Sequence, residues 1–364
     1  MPDQTTPSSD SPPPPRTRET VHLFEDLTSD LLWPKLLRAP ALALSPSRLA
    51  LGIVAAFVLT ILARVPTLWI EDPPRIFFSS SLNTEPSLNP LRAFESITDF
   101  LGNIFYAGYT HPWTTLIVGV PMIFILSLLG CIMSRTAAIE FAQGRIADRS
   151  DTTAFVLRRA THLGTAVFGP IVLSFILIGI IALGGFLLSV PVVDLLGGVL
   201  YSLGLVLGVI VFLTLVMQLL SVPLIVPSIA CEGTDGFDAI QRSYAYIAGR
   251  PLRVLGYATI LFVLGTLALG VFQLVMHGSI ALTDWSMELL ANDAGVRVLT
   301  SSEDLGATQP AAHNFIEFWR ALFQLIFAGY AISYLYTAST MLYLVIRRVC
   351  DGQDLAEIWV DPTN

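Results

Sequence analysis

Six long apolar runs govern what this chain can become: Leu49–Ile70, Trp113–Met133, Leu163–Val190, Leu195–Leu220, Leu255–Met276 and Trp319–Ile346. Roughly 20 apolar residues cross a bilayer as a helix. The runs raise the hydrophobic share to 54% and leave only 13% charged. A soluble domain holds about 45–50% and about 25%. The expected fold is all-α, an integral membrane six-helix bundle spanning 49–346.

The remaining stretches arrange themselves around these spans. Residues 1–20, with four prolines at Pro12–Pro15, read as a disordered cytoplasmic tail, and Met1–Arg18 lacks the apolar core of a signal sequence. Residues 21–48 read as an interfacial amphipathic segment. Phe24, Leu27, Leu31 and Leu32 share one helical face, with Trp33 and Lys35 at headgroup depth. Residues 347–364 read as a cytoplasmic tail. The first span reaches full length only by accepting Arg64, whose stem can snorkel to the outer interface. The third is long enough to tilt. Pro223 and Pro227 interrupt the end of the fourth, so 222–230 reads as an unwound helix end or a shallow re-entrant segment. Two hydrophilic loops, Glu71–Pro112 and His277–Phe318, separate spans, the first holding an amphipathic helix over Leu91–Tyr106.

Arginine and lysine set the orientation. With the N-terminus inside, fifteen of the 20 cations are cytoplasmic, and only Arg64, Arg75, Arg92, Arg297 and Arg320 lie outside. Both termini are therefore expected in the cytoplasm. The net charge of -8 says little about partners, because it is divided between two faces.

Paired, the spans give three in-out-in hairpins. Each follows a cytoplasmic amphipathic helix, around Phe24–Arg38, Asp151–His162 and Asp235–Arg250. In the last, Phe237, Ile240, Tyr244 and Ile247 form an apolar stripe. Asp235 suits an N-cap, and Arg250-Pro251 suits the end. The exits also repeat. Span four leaves through Cys231-Glu232-Gly233-Thr234-Asp235 and span six through Cys350-Asp351-Gly352-Gln353-Asp354. Glu140–Gly144 is a fainter echo after span two. Glycine there frees the backbone for a sharp turn.

Candidate chemistry is sparse. Glu232, Asp235 and Asp238, with Arg242 and Arg250, make the joint between spans four and five. The carboxylates read either as a divalent-metal or polar-headgroup site or as caps and solvated turn residues. Arg135 and Glu140 join them or simply mark a helix leaving the bilayer. In span six Tyr330, Ser333, Tyr334, Thr337 and Thr340 share a face, which reads as a lipid or solute groove or as helix packing. Gly204 and Gly208 offer a close-approach face on which a homo-oligomer could form. The spans hold no line of Asp, Glu or Lys, which argues against ion-coupled transport. Five scattered histidines and three cysteines lack ligand spacing, so no metal or cofactor is expected, and the cysteines read as reduced. Nucleotide and hydrolase motifs are absent. The basic residues, spread along the inner surface, suit anionic headgroups rather than nucleic acid.

The stretch Glu232–Pro251 resembles the joint in a group of bacterial integral membrane proteins. These are similar to the membrane domain of some glycerophosphodiester phosphodiesterases and to the YciC-like inner-membrane family. The shared pattern is an acidic turn, then Asp238-Ala239-Ile240, then Arg242-Ser243-Tyr244 ahead of a span. The resemblance implies a helical membrane fold in the bacterial cytoplasmic membrane and no reaction. The catalytic domain of the fused phosphodiesterases has no counterpart here. Three functions follow as expectations. The first is a non-enzymatic scaffold or lipid-contacting component, with membrane lipids and a membrane-complex protein as partners. The second is a transporter or lipid translocator with a cavity among the hairpins. The third is a metal-dependent glycerophospholipid enzyme.

Overall fold

The computed structural model describes residues 33–69, 88–189, 192–300, 306 and 308–359. The 1–20 tail, the amphipathic stretch as far as Leu32, residues 71–87 of the first loop and residues 360–364 lie outside the described residues.

Twelve helices follow in order among the described residues, with no strand. Two short ones, α1 (Trp33–Leu36) and α2 (Ala39–Ala43), lead into α3 (Pro46–Arg64). Then come α4 (Pro90–Thr110) and α5 (Pro112–Gln143), whose residues Thr115–Gly119 form a π-helical turn. After α6 (Arg149–Arg158) run α7 (Ala160–Leu188) and α8 (Asp194–Glu232). The last four are α9 (Gly236–Gly249), α10 (Pro251–Glu288), α11 (Asp293–Thr300) and α12 (Gln309–Asp351). Six helices are long and apolar enough to cross a membrane: α3 with its short extension to Leu68, α5, α7, α8, α10 and α12.

Several boundaries differ from the sequence expectation. Helix α8 runs unbroken through Pro223 and Pro227, so 222–230 is neither unwound nor re-entrant. A proline removes one N–H and crowds the carbonyl four residues back. Here the two prolines are four apart, so the N–H missing at Pro227 would have met Pro223. Packing supports the continuous helix here, since every residue from Leu224 to Cys231 is buried. The loop expected over His277–Phe318 is largely helical, divided among the end of α10, all of α11 and the start of α12. Arg320 explains the extension, reaching Asp284 of α10 at 2.8 Å and Glu317 of its own helix at 2.7 Å. The helix expected over Asp151–His162 stops at Arg158; the backbone turns at Arg159, and His162 belongs to α7.

Helix α12 is the hub of the bundle. It meets three other spans through glycines that admit its bulk. A Cβ on Gly52 of α3 would lie 2.1 Å from the Gly329 carbonyl oxygen. A Cβ on Gly130 of α5 would lie 2.1 Å from the Tyr336 ring, and one on Gly265 of α10 2.4 Å from the Tyr334 ring. Helix α7 packs mainly on α8, and the two turn Phe175, Leu183, Phe186, Leu203 and Phe212 outward. Such a face is expected where lipid replaces water. At 39 residues, α8 is roughly 58 Å long at 1.5 Å per residue. The hydrocarbon layer is about 30 Å thick, so a large part of α8 extends beyond it. Its Glu232 end is where the charged residues gather.

Candidate functional site

At that end, three long helices finish the same way. Gly144, Gly233 and Gly352 follow α5, α8 and α12, each in the left-handed conformation, with φ of 66°, 60° and 69°. Each glycine N–H bonds the carbonyl four residues back, on Glu140, Ile229 and Arg348 respectively. The turn at Gly233 delivers the chain to Asp235, the N-cap of α9, whose carboxylate accepts the Asp238 N–H at 2.8 Å.

Glu232 is the centre. Its side chain is 10% exposed and has three partners from two helices. Arg242 of α9 folds back on it at 2.5 Å while its Nε meets Asp238 at 3.2 Å. From α12, the Tyr343 hydroxyl donates to Glu232 Oε1, and Arg347 stands 3.7 Å from the same oxygen. Burial opposes charge on Arg242, but Glu232 and then Asp238 outweigh it and raise its pKa.

A reciprocal contact completes the pair of exits. The Tyr246 hydroxyl of α9 donates to Asp351, the acid that ends α12. Burial first, then this bond, raises the Tyr246 pKa. The Tyr246 and Tyr343 rings lie 6.0 Å apart between the two acids. Each exit acid thus takes a phenol from the other exit's neighbourhood.

The segment 353–359, expected as plain tail, is tied onto this base. Arg347 is 2% exposed and donates to the carbonyls of Asp354 at 2.9 Å and Glu357 at 2.7 Å. Arg135 of α5 bridges Ala230 O at 2.9 Å and Trp359 O at 3.1 Å, with its guanidinium 3.8 Å over the Phe155 ring. The Trp359 N–H closes onto Cys231 O at 2.8 Å. The indole covers Gly233, where a Cβ would meet it at 2.9 Å. On the far flank, Arg48 is fully buried, donates to Leu42 O and lies 2.9 Å from Glu140.

The residues singled out from sequence divide accordingly. Glu232, Asp238 and Arg242 are one cluster, Asp235 is a cap, and Arg250 stands exposed at the α9–α10 junction. The three carboxylates do not converge, and no group of three His, Cys, Asp or Glu able to hold a metal ion occurs among the described residues. Tyr330, Ser333, Tyr334, Thr337 and Thr340 are all buried where α12 packs on its neighbours. Ser333 donates to Ala43 O at 2.7 Å, Tyr334 to Leu261 O at 2.6 Å and Thr340 to Tyr336 O at 2.6 Å. Their placement is that of helix packing. Gly204 and Gly208 face open space.

No protein-family model, curated protein or solved structure matches this chain.

Sequence reasoning missed Arg347, Tyr343, Tyr246 and Trp359. In sequence Arg347 only closes the sixth span, and nothing distinguishes Tyr246 and Tyr343 from the other aromatics. One signal was available, since Leu355, Ile358 and Trp359 are apolar in a short polar tail and repeat at helical steps.

Proposed function

We propose that this chain is a non-enzymatic six-span protein of the bacterial cytoplasmic membrane, with both chain ends inside, that holds a rigid polar base against anionic headgroups and a membrane-complex partner. One observation carries this reading. The buried charges at the Glu232 end are paired with one another and with backbone carbonyls, as a platform requires. A catalytic site instead keeps a nucleophile or base free to reach substrate. The surplus of cations at this end suits the inner leaflet. The three left-handed glycines support a plan of three in-out-in hairpins, and the likeness of Glu232–Pro251 to the joints of YciC-like proteins agrees with it.

The packed face of α12 weighs against transport. A cavity at the opposite end, between Gln273, His277 and Gln324, is about 30 Å³, room for a water or two. Two measurements test the proposal. A cysteine at Ser80 should react with an impermeant maleimide from outside, while a reporter fused after Asn364 is active inside; the reverse pattern would sink the topology. Vesicles holding the purified protein should move labelled lipid and small solutes no faster than empty ones. Faster flux would replace the platform with a translocator.

A further inference from the structure

A cleft of about 290 Å³ opens at the Glu232 end between α1, the ends of α5 and α12, and segment 353–359. Its lining combines Lys35, Arg38 and Arg348 with Phe141, Leu355 and Asp354. That is three cations against one carboxylate. The carboxylate is already engaged, 3.3 Å from Arg348. Among the described residues, Lys35 and Arg38 meet no carboxylate at ion-pair distance.

The wall is fixed rather than incidental. Buried Arg347 pins the backbone at Asp354 and Glu357, and Gln143 holds Ala356 O at 3.2 Å. Leu355 is thereby buried at its place beside the partly buried Phe141. The cleft offers two cations that no described carboxylate neutralises, beside an apolar wall and just ahead of the first span. Exposed Trp33 stands on the same short helix as Lys35. Free anions need only the charge; a molecule with phosphate joined to an apolar body uses both parts.

We propose that this cleft binds the phosphate of an anionic phospholipid, with Lys35 and Arg38 on the phosphate and Phe141 and Leu355 against the glycerol region. The proposal rests on the reading that the Glu232 end lies at headgroup depth. The phosphodiester stays charged throughout the physiological range, so binding should be insensitive to pH there.

The test uses the full chain in nanodiscs of phosphatidylcholine containing a minor fraction of phosphatidylglycerol, with retained lipid counted by native mass spectrometry. The pair Lys35→Gln and Arg38→Gln should weaken phosphatidylglycerol retention roughly thirty-fold, two cations' worth at a membrane surface. The pair Arg149→Gln and Arg253→Gln, exposed cations outside the cleft, should change it less than about threefold if the cleft rather than diffuse charge is responsible. Equal losses in both pairs, or no loss in the first, would overturn the proposal. Inorganic phosphate at millimolar concentration should not displace the lipid; displacement would assign the cleft to a soluble phosphate and overturn the lipid assignment. If the first pair fails to fold, Lys35→Glu at its exposed position carries the same test. Failure here leaves the maleimide pattern at Ser80 unchanged, whereas failure of the reading that this end lies at the inner headgroups reverses it.

Discussion

Removing Glu232 should hurt this protein more than removing the arginine it holds most closely. Arg242 is 36% exposed, so in Arg242→Ala the carboxylate keeps Tyr343 and Arg347 and water replaces the lost cation. Such half-exposed pairs contribute about 1 kcal/mol. Glu232→Ala is different. It leaves Arg347, 2% exposed, without its carboxylate and the buried Tyr343 hydroxyl without an acceptor. Breaking a buried pair from one side costs about 3–5 kcal/mol, and the low end applies because Arg347 keeps two backbone carbonyls. At about 2 °C per kcal/mol for a large chain, Glu232→Ala should lower Tm by about 6 °C and Arg242→Ala by about 2 °C. Thermal unfolding in mild detergent, followed by tryptophan fluorescence, measures both. Equal shifts, or a larger one for Arg242→Ala, would refute the picture of Glu232 as the shared counter-ion. In that case Arg347 would have to be stabilised by its carbonyls alone.

Three further outcomes follow from the geometry. Gly52→Leu should abolish the monodisperse peak in size-exclusion chromatography, because its Cβ would sit 2.1 Å from the Gly329 oxygen; Gly204→Leu, with nothing within 4 Å, should leave the peak intact. Gly352→Ala should cost only the left-handed penalty of about 1–2 kcal/mol. Gly233→Ala adds a collision with Trp359 at 2.9 Å and should expose the 353–359 segment to protease, while the wild type resists. In the folded protein a maleimide should label Cys350, which is partly exposed, and spare Cys131 and Cys231, which are buried; denaturant should release all three.

The spans were legible because membrane helices are marked by length and composition alone, and six helices of the required kind are present. Turn chemistry was legible for the same local reason. Glycine after an acid at 233 and 352 means a left-handed stop, and Asp235 ahead of Asp238 means a cap. Helix ends were poorly legible. The continuation of α8 through two prolines and of α10 to Glu288 depends on contacts far away in sequence, such as Arg320 with Asp284. The cluster was half legible. Glu232 and Arg242 are ten residues apart and advertise a joint, but Tyr343, Arg347 and Trp359 reach it from more than a hundred residues away. The hydroxyl face of α12 shows the limit from the other direction. A stripe of Ser, Thr and Tyr looks alike whether it lines a groove or bonds neighbouring backbones, and only the burial separates the two.

The hub position of α12 has a consequence for biogenesis. Helices α3, α5 and α10 are each notched by a glycine to receive a helix that is synthesised after them. Until it arrives, the notches at Gly52, Gly130 and Gly265 stay vacant and Arg135 has no Trp359 carbonyl to hold. Closure is therefore a late event, and a membrane protease that surveys loose helices would meet an open target in every chain that stalls before α12.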